Sequence, residues 1–442
     1  MPDHPLGLAP LPGQPNTPDA SRYKWYVVWM LWCVSLCNYA DRQAIFSLFP
    51  LLRRSMALSD VQLGLLGSSF AWVYGLISPL AGNLADRISR KTAILSGLCA
   101  WSGVCTGSAA SVNFTQLVSF RGAQGLGESV YYPAAMSMIS DYHAPASRSR
   151  AMGLHQTSVY AGTIAGGFFA ALIGERYGWR VSIIVFGAMG VVLALVLKRF
   201  LREPARGAAD SNASPPTAPR MPERRATDHR FLGAIFKNPT ALCLMAAFAC
   251  ANFVAAVLLA WMPDFLYNRF HFGLAMAGLS AVIFVQLASM AGSVIGGWTA
   301  DLLHKRKSSG RVLVQGLAVF AGAPFVWLCG ATQTVSVLIF ALTAWGLFKG
   351  LYDANIFASL YDVVPAEARG TAAGFMNMVG WAGGGGLGPA VVGFVAERSS
   401  LGAAISLSAL VYILAGVFLS IPVLFERRLY GTNCLRPQGT EL

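Results

Sequence analysis

The sequence predicts an all-α membrane protein, with twelve transmembrane helices in two parallel six-helix pseudo-repeats. Three observations carry that prediction. Hydrophobic residues fill 55% of the 442 positions and charged residues only 12%, about half the charged share of a soluble chain. Several apolar runs exceed the ~18 residues that mark a membrane span. A set of residues in the first half also recurs 221 positions later in the second.

Taken in order, residues 1–23 come first. They are Pro-rich and lack the basic-then-apolar order of a signal peptide, so they read as a disordered cytoplasmic arm. Six apolar runs follow at 24–50, 59–83, 92–110, 114–139, 150–174 and 180–198, making a first bundle over 24–200. Residues 201–237 carry Pro204, Pro215, Pro216, Pro219 and Pro222 among many charges and read as a cytoplasmic linker. A second bundle over 238–425 holds runs at 238–263, 274–300, 311–330, 333–358, 370–396 and 402–425, and 426–442 is a tail.

Charge sets the orientation. The termini and even-numbered loops hold 24 Lys and Arg, the opposite side six, and three lie within spans. Positive charge is retained in the cytoplasm. Both termini are therefore expected there, in a multi-pass protein of a bacterial inner membrane. The same distribution explains the net charge of +13 without a nucleic-acid partner. Seven of the eight cysteines lie in apolar stretches with no CxxC or Cys/His spacing, so neither zinc nor a disulfide framework is expected. No Walker, HExxH or GxSxG motif supports an ATP-driven pump or an enzyme. The run Gly383–Gly386 with Gly388-Pro389 lies inside span 11 as packing or bending glycines, not as a phosphate loop. No cofactor and no metal is expected, and a monomer is the expected state.

The repeat relates Asp141, Arg148, Ala151, Gly153, Ala161 and Gly162 to Asp362, Arg369, Ala372, Gly374, Ala382 and Gly383. Gly82 and Asp86 recur as Gly297 and Asp301, here 215 positions on. Six spans are an even number, so both copies keep one orientation, as in transporters whose two bundles rock about a central site.

Three polar clusters interrupt the spans. The loop after span 2 reads Gly82-Asn-Leu-Ala-Asp86-Arg87-Ile-Ser-Arg90-Lys91. Span 4 holds Arg121-Gly-Ala-Gln124-Gly125-Leu-Gly127-Glu128, and span 1 holds Asn38-Tyr39-Ala-Asp41-Arg42-Gln43. A charge in a span costs roughly 2.5–3.5 kcal/mol, so these side chains are expected to face the bundle interior. Arg121 and Glu128 share a helix face. Rising ~1.5 Å per residue from opposite sides, spans 1 and 4 bring Asp41 and Arg42 near their depth. Pairs Asp41–Arg121 and Arg42–Glu128 are then feasible. Burial favours a neutral carboxyl and a nearby arginine a charged one, so moving the arginine moves the proton.

The loop after span 2 resembles the signature G-x-x-x-D-R-x-x-R-[KR] of the major facilitator superfamily, and span 4 resembles its R-x-x-x-G-x-G pattern. N-Y-x-D-R with G-x-G-E, together with Ser140-Asp141-Tyr142 and Leu58–Leu66, resembles the spinster group, whose animal members carry lysolipids and sphingolipids. The anion:cation symporters, which take sugar acids, are the next most similar group. The resemblance implies a secondary transporter working by alternating access with a proton as coupling ion. It implies proton coupling through Asp41, Glu128, Arg42 and Arg121. It also implies gating on the cytoplasmic side by Gly82, Asp86, Arg87, Arg90, Gly297 and Asp301.

Substrate, a small organic or amphipathic anion in the bilayer, is expected near the midplane against spans 1, 4, 7 and 10. Candidate contacts are Asn38, Tyr39, Tyr131, Tyr132, Gln156, Tyr160, Asn252, Gln286, Lys349, Tyr352, Asp353, Asn377 and Trp381. Lys349 and Asp353, four apart on one helix face, either neutralise each other or bind substrate. His155 reads as a solvated or packed residue. Trp25, Trp29 and Trp32 read as interfacial anchors. A scaffold or receptor without turnover is the rival from another class; it has no need of switchable charges in spans.

Overall fold

The structure, a computed structural model, describes residues 18–204, 209, 236–307, 309–365 and 369–424. Most of the arm 1–23 and of the linker 201–237, and all of the tail 426–442, lie outside the described residues, as do the side chains of 82–87.

Among the described residues the chain is helical and has no strand. The first six spans are Pro18–Ser47, Asp60–Arg87, Arg90–Ser108, a broken fourth (Phe114–Ser129 and Tyr131–Tyr142), Pro145–Tyr177 and Trp179–Phe200. The next three are Pro239–Phe270, Leu274–His304 and Gly310–Ala331. Span 10 breaks between Val335–Asp353 and Ile356–Val363. Span 11 runs from Arg369 to Ala396 and span 12 is Leu401–Leu424. Nine of these are long and apolar enough to cross a membrane on composition alone. Spans 1, 3 and 4 fall short, the first because Asn38, Asp41, Arg42 and Gln43 dilute it and the fourth because Gln116, Arg121, Gln124 and Glu128 do. Span 7 runs beyond the expected Pro263 to Phe270, and stops where His271 takes a left-handed conformation with φ 55°.

Side-chain caps mark several starts. Ser89 accepts from Thr92 N, Asn113 from Gln116 N, and Asn238 from Thr240 N and Ala241 N. The Glu203 carboxylate accepts from the free amides of Arg90 and Lys91, at 2.8 and 2.6 Å, where span 3 begins.

The repeat is visible in contacts. Arg90 pairs with Asp141, and their counterparts 221 positions on, Arg311 and Asp362, pair at 2.7 Å. Arg311 also reaches Asp301 at 3.0 Å. Both pairs lie on the face that carries the termini, here called the terminal face.

The opposite, far face joins the two halves. Arg53 pairs with Asp60 of its own half and with Asp264 of the other at 2.9 Å. Val61 N donates to Glu397 at 3.0 Å, and Ala275 N to Glu175 at 3.4 Å. Small residues bring the backbones together there. A Cβ on Gly167 would stand 2.7 Å from Gly278 O, and one on Gly393 would overlap the Asp60 carbonyl. On the terminal side of the same spans 5, 8 and 11, a Cβ on Gly153, Gly297 or Gly374 would meet open space. The halves are sealed at the far face and splayed at the terminal one.

Candidate functional site

Between the halves lies a cavity of about 600 Å³. Every span but 3, 6 and 9 lines it, more than the four expected. Of the candidates, Tyr39, Tyr132, Gln156, Tyr160, Asn252, Gln286, Lys349, Tyr352, Asp353 and Trp381 reach it, with Arg42 and Arg121. Asn38, Tyr131 and Asn377 do not. Tyr131 is 2% exposed, and its hydroxyl donates to Leu31 O and meets His155 Nε2, so it ties spans 1, 4 and 5 together. Asn38 is likewise buried at 1% exposure. Both side chains are buried in the packing of the first half, away from the cavity that Tyr39 and Tyr132 beside them reach. His155, wholly buried, is packed.

The charged wall is built by spans 1 and 4. Arg42 Nε donates to Glu128 Oε2 at 2.5 Å, with the Glu128 side chain fully buried. The Arg42 guanidinium lies 4.8 Å from the Tyr39 ring centre, 4.9 Å from Phe70, 4.5 Å from Tyr74 and 5.2 Å from Trp381. Four aromatic faces and one carboxylate offset its desolvation. Arg42 Nη1 and Glu128 Oε1 keep no hydrogen-bond partner among the described residues.

Asp41 corrects the expected pairing. It accepts from Cys105 Sγ at 3.1 Å and from Gln124 Nε2 at 3.0 Å, not from Arg121. Arg121 Nη1 donates to Gln124 Oε1 at 3.0 Å and Nη2 to Arg42 O at 3.0 Å. Gln124 therefore stands between acid and base. Its spacing from Arg121, three along one helix, was the available signal. Asp41 and Cys105 share a small side void behind Arg121, away from the main cavity.

On the opposite wall Lys349 donates to Asp353. Trp381 is carried by a π-helical turn, Val379–Gly385, inside span 11. The widened turn fits between spans 2 and 7: a Cβ on Gly75 would meet Ala382 N at 2.7 Å, and one on Gly384 would press on Ala249 and Phe253. Of the gating candidates, Arg90 pairs with Asp141 and Asp301 with Arg311. A Cβ on Gly297 would have no near neighbour. The side chains of Gly82, Asp86 and Arg87 lie outside the described residues.

Comparison with known proteins gives the geometry a context. The family model for the Major Facilitator Superfamily matches residues 31–378. The chain is 25% identical over 434 residues to a hexuronate transporter of Bacillus subtilis (strain 168), covering 95% of this chain and 98% of the relative. It is 27% identical over 390 residues to protein spinster homolog 1 of Homo sapiens, covering 85% and 73%. A solved structure of a bacterial homolog to the human lysosomal transporter Spinster, inward-facing and unoccupied, superposes with a TM-score of 0.76. The identity is 22%, over 91% of this chain and 96% of that one.

Proposed function

The chain belongs to the Major Facilitator Superfamily, whose members are membrane transporters and not enzymes, and from that premise we propose that it moves an organic anion by proton-coupled alternating access. The substrate is a small organic anion or an amphipathic anionic lipid of the lysolipid and sphingolipid kind. The observation that carries this reading is the position of Arg42, with a buried carboxylate on one side and the cavity on the other. A substrate anion that engages Arg42 from the cavity draws the guanidinium from Glu128. Burial then favours the neutral acid, and Glu128 takes a proton. Returning Arg42 releases it. Asp41, held by an amide and a thiol, supports Arg121 through Gln124 and is the second protonation candidate.

By the charge count the terminal face is cytoplasmic, so the conformation described is open to the inside and closed outside. The loop cluster Gly82, Asp86, Arg87 and Arg90, with Gly297 and Asp301, would close the inner side in the alternate state. The protein is read as a monomer of a bacterial inner membrane, with two bundles over 24–200 and 238–425 joined by the linker.

A sugar acid is the second reading of the substrate, favoured by the hexuronate transporter that aligns along nearly the whole of both chains. One experiment tests both. Purified protein in liposomes with a trapped pH dye is challenged with sugar acids, other organic anions and lysolipids. Proton flux triggered by one class is expected, and it should vanish in Glu128→Gln. Binding without flux in the wild type would replace the transporter by a transporter-like receptor.

A further inference from the structure

We infer that Lys349 and Asp353 form a second pole of the cavity, where Asp353 receives a hydrogen-bond-donating group of the substrate, a hydroxyl or an ammonium. The anionic end then lies at Arg42 and Arg121. This rests on the anion-transport reading and adds to it the residue that selects among anions.

Lys349 stands 221 positions after Glu128, so it occupies the equivalent place in the second half. The packing agrees. Three residues before each, Gly125 and Gly346 hold span 4 against span 2 and span 10 against span 8. A Cβ there would stand 2.9 Å from Phe70 O and 2.7 Å from Val285 O. Phe70 and Val285 are themselves 215 apart, the offset that relates span 2 to span 8. The two walls thus present matched positions with opposite chemistry.

Exposure separates the two carboxylates. The Glu128 side chain is 0% exposed behind Arg42, whereas Asp353 is 41% exposed and its Lys349 partner only 19%. Of Asp41, Glu128 and Asp353, only Asp353 lines the cavity. A pair that did no more than neutralise itself has no reason to turn its acid outward. Lys349 donates to Oδ2, and Oδ1 accepts no hydrogen bond among the described residues.

The backbone adds to the acceptor character. The helix Val335–Asp353 ends at this aspartate, and the negative end of a helix favours donors and cations. Asn355 pins the break to span 8 by donating to Gly296 O at 3.0 Å, so the acid sits on a fixed element. Across the cavity the wall is basic, with Arg42 and Arg121 lining it. The cavity is therefore an anion site at one wall and a donor site at the other.

The test measures binding to the full chain in lipid nanodiscs with two probe pairs. Glucuronate is compared with cyclohexanecarboxylate, and lysophosphatidylethanolamine with dodecyl phosphate. The first of each pair carries an anion and a donor pole, the second an anion alone. Asp353→Asn is expected to weaken a donor-bearing probe roughly 10- to 100-fold, the value of a hydrogen bond to a charged group, and to leave its one-pole partner unchanged. Which pair responds identifies the source of the donor. Lys349→Met/Asp353→Leu, which strands no lysine, should discriminate in the same way. Equal weakening of both members of a pair, no weakening of either, or discrimination lost in the double variant would overturn the inference while the anion site stands. Failure of the wild type to bind any probe, or binding indifferent to Arg42→Gln, would remove the anion reading and this inference with it.

Discussion

At the scale of single residues, the site turns on Arg42 and on what Gln124 does beside it. Asp41, Arg42, Arg121 and Glu128 were legible in the sequence because an ionised group in an apolar run is too costly to be incidental. Gln124 was not singled out, since an amide in a span raises no such alarm. Yet it is the link through which Asp41 and Arg121 are balanced. Gln124→Leu removes a donor from one buried charge and an acceptor from another, and should lower stability by about 1–3 kcal/mol. Thermal unfolding in detergent measures this; an unchanged midpoint would mean that water replaces the amide without loss. Asn38 and Tyr131 show the converse limit. Periodicity says that a polar side chain faces inward, but not whether inward means the cavity or the next helix.

At the scale of elements, the three spans that break or widen all touch the cavity. Span 4 breaks before Tyr131, span 10 breaks after Asp353, and span 11 widens to a π turn at Val379–Gly385. Apolar run lengths could place these spans but could not show the breaks, because backbone irregularity in a membrane depends on neighbouring helices that satisfy its polar groups. The glycines of span 11 were legible as packing residues; that they accommodate a π turn follows only from spans 2 and 7 closing on both sides. A π turn carries one residue more than an α-helix needs. Deleting Gly383 removes that extra residue and returns the turn that carries Trp381 to α geometry. The Trp381 ring, 5.2 Å from the Arg42 guanidinium, then loses the widened turn that sets its reach. Transport should fall at least about tenfold while the protein still folds, judged by its unfolding midpoint; full transport activity would show that the stacking is dispensable.

At the scale of the whole molecule, twelve spans and their repeat followed from hydropathy and from the 221-residue offset. The direction in which the cavity opens did not, because it depends on which face holds the inter-half contacts. Those contacts gather at the far face, where Arg53 joins Asp264 across the seam. Arg53→Ala leaves Asp264, 1% exposed, without its cation, and should shift the population toward the far-open state roughly tenfold or more. Distances between spin labels on the far-face loops would report it; an unchanged distribution would assign the seam to the glycine contacts alone. The central claim is that Glu128 carries the coupled proton while the rocking of the halves is separate from it. Its most direct test compares substrate exchange at equal concentrations with uptake driven by a pH gradient, in liposomes containing Glu128→Gln. The account predicts that exchange survives and gradient-driven accumulation is lost. Accumulation that persists with proton movement would contradict it.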